Sequence, residues 1–399
     1  MEFELDIRRQ ATDYIERYGK GKRPFDRAPA APAPAPTRSF RVLTCTNCSS
    51  VDPASFKTVT ADLKYDGGKR VLIYADINQP ANSFTQADYD AFGMQFDNQI
   101  FLTNSTFFGP TTDIDSDNRV AILFTPEVNL LTPAGTTQTQ GFISGFFLLN
   151  DLAPNLVPAG TSNGMEIFYV MVPDPGNEFG NTFPKGLVTT IIPGTLAHEL
   201  EHMISFGFRL FNFGSASLQV TWLEEGMAHM AEDLNGFDKS NIDRAGVYLG
   251  DPGDVSIIGG DTLGQRGGIF LFLRYFGDQL GTGIYKSILQ SSCIGRACVQ
   301  NVTGVDFFDS VADFLATLYL SDRGITADPK YNYSSFDLQR DFSPLLVAAR
   351  TIADGPISGN VRNAAGDFYS MSAFPPLGSR FDVTGNLNGR IRVVAIRVK

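Results

Sequence analysis

Three histidines occur in the 399 residues, and two of them fall in LAHELEHMI, from Leu196 to Ile204. Wound as an α-helix, this stretch sets His198 and His202 on one face, one turn apart and about 6 Å along the axis. Two imidazoles so placed can grip one metal ion, each at about 2.0–2.1 Å. Glu199 lies beside them, and H-E-x-x-H in a helix describes a zinc site with a general base at hand. By helical angle alone, Glu199 and Glu201 sit about equally far from the bisector of the two rings, on opposite sides. Periodicity therefore does not choose the base; the precedent of the motif chooses Glu199 and leaves Glu201 as a side-wall carboxylate. The competing reading is a surface helix with two solvated histidines. The flanks Leu196, Ala197, Leu200, Met203 and Ile204 are apolar, which predicts burial. Two histidines and two glutamates buried without partners would be costly, and a metal removes that cost.

A catalytic zinc usually takes three protein ligands and leaves a fourth position open. The stretch TWLEEGMAHMAED, Thr221 to Asp233, holds the single tryptophan, two adjacent glutamates and the third histidine. On a helix, Glu225, His229 and Glu232 share a face at i, i+4 and i+7. Glu225 can complete a zinc site if that face meets the first helix. His229, one turn further on, is the alternative third ligand. Glu232 is read either as a hydrogen-bond partner of a ligand imidazole or as a solvated carboxylate.

Together, His198-Glu199-x-x-His202 and Trp222-Leu223-Glu224-Glu225-Gly226-Met227-Ala228 resemble the glutamate-zincin peptidases, and most nearly the hyicolysin-type neutral metallopeptidases. The strand-like Met165-Glu166-Ile167-Phe168-Tyr169, the acidic turn Asp113 to Asn118 and the segment Phe272-Leu273-Arg274-Tyr275 extend the resemblance over most of residues 70–280. It implies a zincin-like catalytic domain with His198, His202 and Glu225 as zinc ligands. Glu199 then acts on the attacking water and later on the leaving amine, and His229 becomes a substrate-side group or a partner of the ligands. Glu224 stands where the related zinc aminopeptidases carry asparagine, without bearing on the ligands. Such sites add a donor for the oxyanion, for which Tyr275, Tyr248 and Arg266 are the candidates. Tyr275 is equally at home in a packed core.

TDIDSDNRV places Asp113, Asp115 and Asp117 at alternate positions, the spacing of the first ligands of a calcium loop. Asn118 stands where glycine makes the turn, and Phe124 takes the twelfth position, so a full EF-hand is excluded. The two readings are a Ca²⁺ site of another kind and a polar turn before a strand. The cysteines form two close pairs, Cys45/Cys48 and Cys293/Cys298. Local disulfides are the simplest pairing, with free buried thiols and a four-cysteine zinc knot as alternatives. Met1 to Glu4 has neither a basic start nor an apolar stretch. Local cysteine pairs with an alanine-proline tract lead to the expectation of an extracellular or cell-envelope protein whose export signal has been trimmed.

The elements that must position these residues follow from pattern. Strands are expected at Lys69–Ala75, Val120–Phe124 and Glu166–Val172, with a helix over 85–100. Helices are expected over about 186–207, 219–234, 267–290, 305–321 and 343–352. A terminal β piece is expected from Phe381–Val383 and Ile391–Val398 around an Asn388-Gly389 turn. The expected class is α+β, with a sheet-bearing N-terminal half and a helical C-terminal half. Its division is a flexible segment with an Ala/Pro linker over 1–39, the catalytic domain over 40–350 and a β-rich segment over 351–399. Folding proper is expected to begin near Phe40.

A net charge of -11 disfavours nucleic acid and anionic membranes as partners. No apolar run reaches the eighteen or so residues needed to span a bilayer, so membrane insertion is not expected. The expected activity is that of a secreted zinc endopeptidase acting on proteins or peptides. A zinc aminopeptidase is the first rival, because Gly164-Met165-Glu166 partly matches that class's amine-binding motif. A zinc-binding module without activity is the second.

Overall fold

VLIYAD and VAILF are each continuously apolar over five residues, the pattern of strands covered on both faces. In the computed structural model they are adjacent parallel strands at the centre of a six-stranded sheet. The structure describes residues 2–19, 22–25, 33–136, 141–213, 219–342, 347–352, 358–371, 383–384 and 391–396. Two compact units are present. One comprises Met1–Gln219, Met227–Asp238 and Leu289–Ser292; the other comprises Val220–Gly226, Lys239–Ile288 and Cys293–Lys399.

The first unit begins with α1 (Glu2–Tyr18), then β1 (Thr37–Leu43), β2 (Phe56–Asp66) and β3 (Val71–Asp76). Next come α2 (Gln86–Gln95), α3 (Phe101–Phe107), β4 (Val120–Phe124), α4 (Pro126–Asn129), β5 (Gly145–Phe147), α5 (Leu149–Leu152), β6 (Ile167–Val170) and α6 (Lys185–Phe213). Strand order is β1-β2-β3-β4-β6-β5. β3, β4 and β6 run parallel, while β1, β2 and the edge strand β5 are antiparallel to their neighbours. The expected strands at 69–75, 120–124 and 166–172 are these three parallel ones. β1 starts three residues before Phe40, pairing Thr37 with Asp62. In α1, Phe3, Ile7, Ala11 and Ile15 form a buried i, i+4 stripe, and Phe3 meets Phe146 edge-on at 5.5 Å. The expected helix over 85–100 is α2, followed by one wide turn at Phe96–Ile100 that leads into α3. Cys45 and Cys48 are joined in a local disulfide.

α7 (Thr221–Leu234) runs from the second unit into the first. The second unit continues with α8 (Lys239–Gly250), α9 (Leu263–Leu280), α10 (Gly283–Leu289), α11 (Arg296–Thr303), α12 (Phe307–Leu320) and α13 (Leu338–Asp341). Arg350–Thr351 (β7) and Tyr369–Ser370 (β8) pair as a small parallel ribbon. The single helix expected over 267–290 is two helices, because Gly281 ends α9 with φ +84°, a conformation that side chains resist. α9 begins earlier than expected because Thr262 and Gln265 form a capping box. Phe272, Phe307, Phe314 and Trp222 meet in this unit's aromatic core. Cys293 and Cys298 form the second local disulfide. The helix expected over 343–352 does not form at 347–352, where β7 stands instead; 343–346 lie outside the described residues. The expected Asn388-Gly389 turn, with 381–382 and 397–399, also lies outside them, and 391–396 carry no strand.

The α+β class stands, with sheet in the N-terminal half, helices in the C-terminal half and a small terminal pair of strands.

Candidate active site

α6 is apolar almost all round, so it is buried along most of its length. Its fourth and fifth turns carry His198, Glu199, Glu201 and His202, at 6%, 2%, 0% and 0% exposure. Burial at that level excludes the solvated-helix reading. The imidazoles are edge-on to each other, and their Nε2 atoms lie 3.1 Å apart. Two nitrogens bonded tetrahedrally to one zinc at about 2.0–2.1 Å would be separated by about 3.3–3.4 Å.

Each imidazole has a carboxylate on its other nitrogen. Nδ1 of His198 is 2.7 Å from Oε1 of Glu232 on α7, and Nδ1 of His202 is 3.5 Å from Oε2 of Glu201. A carboxylate facing Nδ1 favours the tautomer with the proton there and the lone pair on Nε2. His229 also approaches Glu232, with Nδ1 at 3.0 Å from the same Oε1, and its ring centre is 5.2 Å from that of His198. His198 and His229 thus share one carboxylate, and Glu232 is not solvated. His198, His229 and Glu232 also form a set of donors able to take an ion.

Glu199 faces the edge of the sheet. A Cβ at Gly145, the first residue of β5, would stand 2.6 Å from Thr195 Cγ2 and 3.6 Å from Glu199 Cγ. Only a glycine lets this strand lie so close to α6. Thr195 is tied there by a 2.9 Å hydrogen bond to the Ser144 hydroxyl.

Two buried asparagines hold the helices around the histidines. Asn104 of α3 donates to the carbonyl of Ala197 at 2.7 Å, and Asn235 donates to Asn104 Oδ1 and to the carbonyl of Ala231, each at 2.8 Å. The peptide before His198 and the last turn of α7 are therefore joined through α3. Nothing in the spacing of lone asparagines announces this.

Glu225 lies on α7 one turn before His229 and is 1% exposed. Nη2 of Arg266 is 3.2 Å from its Oε2, and Arg266 also binds Asp261. Of the oxyanion candidates, Tyr275 is packed among Phe276, Phe314 and Tyr333, and Tyr248 lies along Phe314. Desolvation pushes both hydroxyls well above the ordinary tyrosine range.

In the acidic turn, Asp113 accepts from the amide of Asn118 at 2.9 Å and Asp117 from that of Arg119 at 2.7 Å. Asp117 is thereby occupied by the turn, and the carboxylates that come together are Asp113, Asp115 and Glu166. Glu166 accepts from the Thr112 hydroxyl and the Ile114 amide. Burial pushes its carboxyl up to about 7 and raises those of Asp115 and Asp117.

Paired imidazoles with an adjacent glutamate are groups that a metal-dependent hydrolase uses, and a neutral metalloprotease is among the proteins this chain is similar to. One relative is the neutral metalloprotease ShpI of Staphylococcus hyicus, 28% identical over 254 residues. The match covers 60% of this chain and 53% of that protein, so the chain spans about half the length of the relative. No family model matches.

Proposed function

We propose that the chain is a secreted zinc endopeptidase. The observation that carries the reading is the 3.1 Å approach of the two Nε2 atoms, with carboxylates facing both Nδ1 atoms. Two lone pairs at that distance repel unless a cation or proton lies between them, and nitrogen donors backed by carboxylates suit zinc. The proposed ligands are His198, His202 and Glu225. Glu225 is preferred to His229 on the resemblance to the glutamate-zincin peptidases, which places a glutamate at the metal; His229, with Nδ1 at Glu232, is proposed to help orient that carboxylate.

Zinc held there supplies Lewis acidity toward water and toward a peptide carbonyl. Glu199 is the proposed base. It takes a proton from the attacking water and passes it to the leaving amine. Glu201 is less suited, because it faces the outer nitrogen of His202. Glu232 is proposed to fix the orientation of the His198 ring, and Glu201 places a carboxylate 3.5 Å from Nδ1 of His202. The tight passage of β5 over Glu199 leaves a sheet edge beside the base, along which an extended peptide can pair.

The aminopeptidase reading needs Glu166 to receive a substrate amine. Its carboxylate is 1% exposed and already accepts from Thr112 and Ile114, which favours cleavage within chains. Secretion is supported by two local disulfides, which persist in oxidising compartments. Among the described residues no helix is long and apolar enough to cross a membrane.

The test is zinc content and casein hydrolysis in wild type and Glu199→Gln, with N-blocked and free peptides compared. Endopeptidase activity predicts cleavage of the blocked peptide and a metal-loaded, inactive variant. Full zinc with no hydrolysis by the wild type would support the inactive module instead.

A further inference from the structure

Arg266 is 7% exposed, an unusual position for an arginine unless its charge is met on several sides. Two carboxylates meet it. Its Nε and Nη2 address the two oxygens of Asp261, the second contact at 3.0 Å, and Nη2 is 3.2 Å from Oε2 of Glu225. The local sequence explains the arrangement. Thr262 caps α9 and locks its start through Gln265, so Asp261, just outside the helix, folds over Arg266 in the second turn. The guanidinium is thus fixed from behind by one carboxylate while it holds another.

We propose that Arg266, clamped by Asp261, is a positioning residue for Glu225, holding its carboxylate in the rotamer that receives the metal. The proposal rests on Glu225 being a zinc ligand. Arginine suits the task because its planar fork fixes direction as well as charge, and lysine offers only a mobile point charge. The trio carries one net negative charge, which favours a dication over a neutral occupant. This assigns Arg266 a role other than donor to the oxyanion, since its Nε and Nη2 are turned to Asp261 and Glu225.

The test uses the full chain with Arg266→Gln, Arg266→Lys, Asp261→Asn and Glu225→Gln. Zinc affinity is read by competition with a chromogenic chelator, the visible spectrum of the Co²⁺-loaded protein reports coordination, and unfolding of the metal-free protein is followed alongside. Partners of metal ligands typically contribute about 10–100-fold in affinity. Arg266→Gln is expected to weaken zinc by about that factor, Asp261→Asn by less, and Arg266→Lys to recover part of the loss with an altered Co²⁺ spectrum. If Arg266→Gln fails to fold, Arg266→Lys and Asp261→Asn carry the comparison. Zinc affinity and Co²⁺ spectrum unchanged in the folded Arg266 and Asp261 variants, with Glu225→Gln impaired, overturns the positioning role and leaves the ligand reading standing. An unimpaired Glu225→Gln overturns both.

Discussion

His198 and His202 present their Nε2 atoms to each other across 3.1 Å inside a buried helix. Unless a cation or a proton lies between them this contact is repulsive, so removing either ring affects more than packing. His202→Ala is expected to lower zinc content below one-tenth of an equivalent, measured by atomic absorption after dialysis. Glu199→Gln is expected to keep its zinc and lose about 10²–10⁴-fold in kcat. Equal zinc retention by both variants contradicts this division of roles.

Glu232 serves two imidazoles at once, at 2.7 and 3.0 Å. Glu232→Gln preserves shape but removes the charge that favours the Nδ1 proton of His198. Zinc should bind about 10–100-fold more weakly, by chelator competition. His229→Ala, which spares the His198 contact, should cost less; the reverse order would place His229 at the metal.

Gly145 is the point of closest passage between β5 and α6. Gly145→Val places methyl groups against Thr195 and Glu199. Hydrolysis should fall at least tenfold while zinc content stays at one equivalent. Unchanged activity would remove β5 from the account of substrate binding.

The histidine helices were legible because apolar periodicity and ligand spacing coincide in LAHELEHMI and TWLEEGMAHMAED. β3 and β4 were legible as unbroken apolar runs. β1 and β2 were not, since Arg38, Arg41, Lys57 and Lys64 interrupt their apolar residues and pairing within the sheet supplies the order. Ala348, Ala349 and Arg350 have high helix propensity, yet hydrogen bonding of Arg350 and Thr351 to 369–370 prevails. Within the site, metal donors announce themselves by spacing. Asn104, Asn235 and the Asp261–Arg266 pair do not, because their partners lie far away in sequence or outside any motif.

Asn104 is fully buried and joins the peptide before His198 to the last turn of α7 through Asn235. Asn104→Ala removes both contacts and leaves buried polar groups without them. Destabilisation of about 1–3 kcal/mol is expected in denaturant unfolding. A change under 0.5 kcal/mol, the usual scatter of surface substitutions, would show the link to be dispensable.

Asp151 is fully buried, and desolvation pushes its carboxyl up to about 7, with hydrogen bonds from Tyr169 and Asn163 opposing. The folded state therefore holds this proton to higher pH than the unfolded chain. Its contribution is fully present below about pH 4 and is lost as pH rises toward 7, at up to about 1.4 kcal/mol per pH unit. Asp151→Asn should flatten that part of the stability profile. An equally steep decline in the variant would assign the slope to other groups, of which Glu166 is the nearest in behaviour.

All three imidazoles of this chain stand together, and a sequence of 399 residues holds no others. Every ring-nitrogen resonance in a ¹⁵N-histidine-labelled sample would therefore originate within a few ångströms of the proposed chemistry. A titration with Zn²⁺ could be followed in this chain of 43.5 kDa without assigning its backbone.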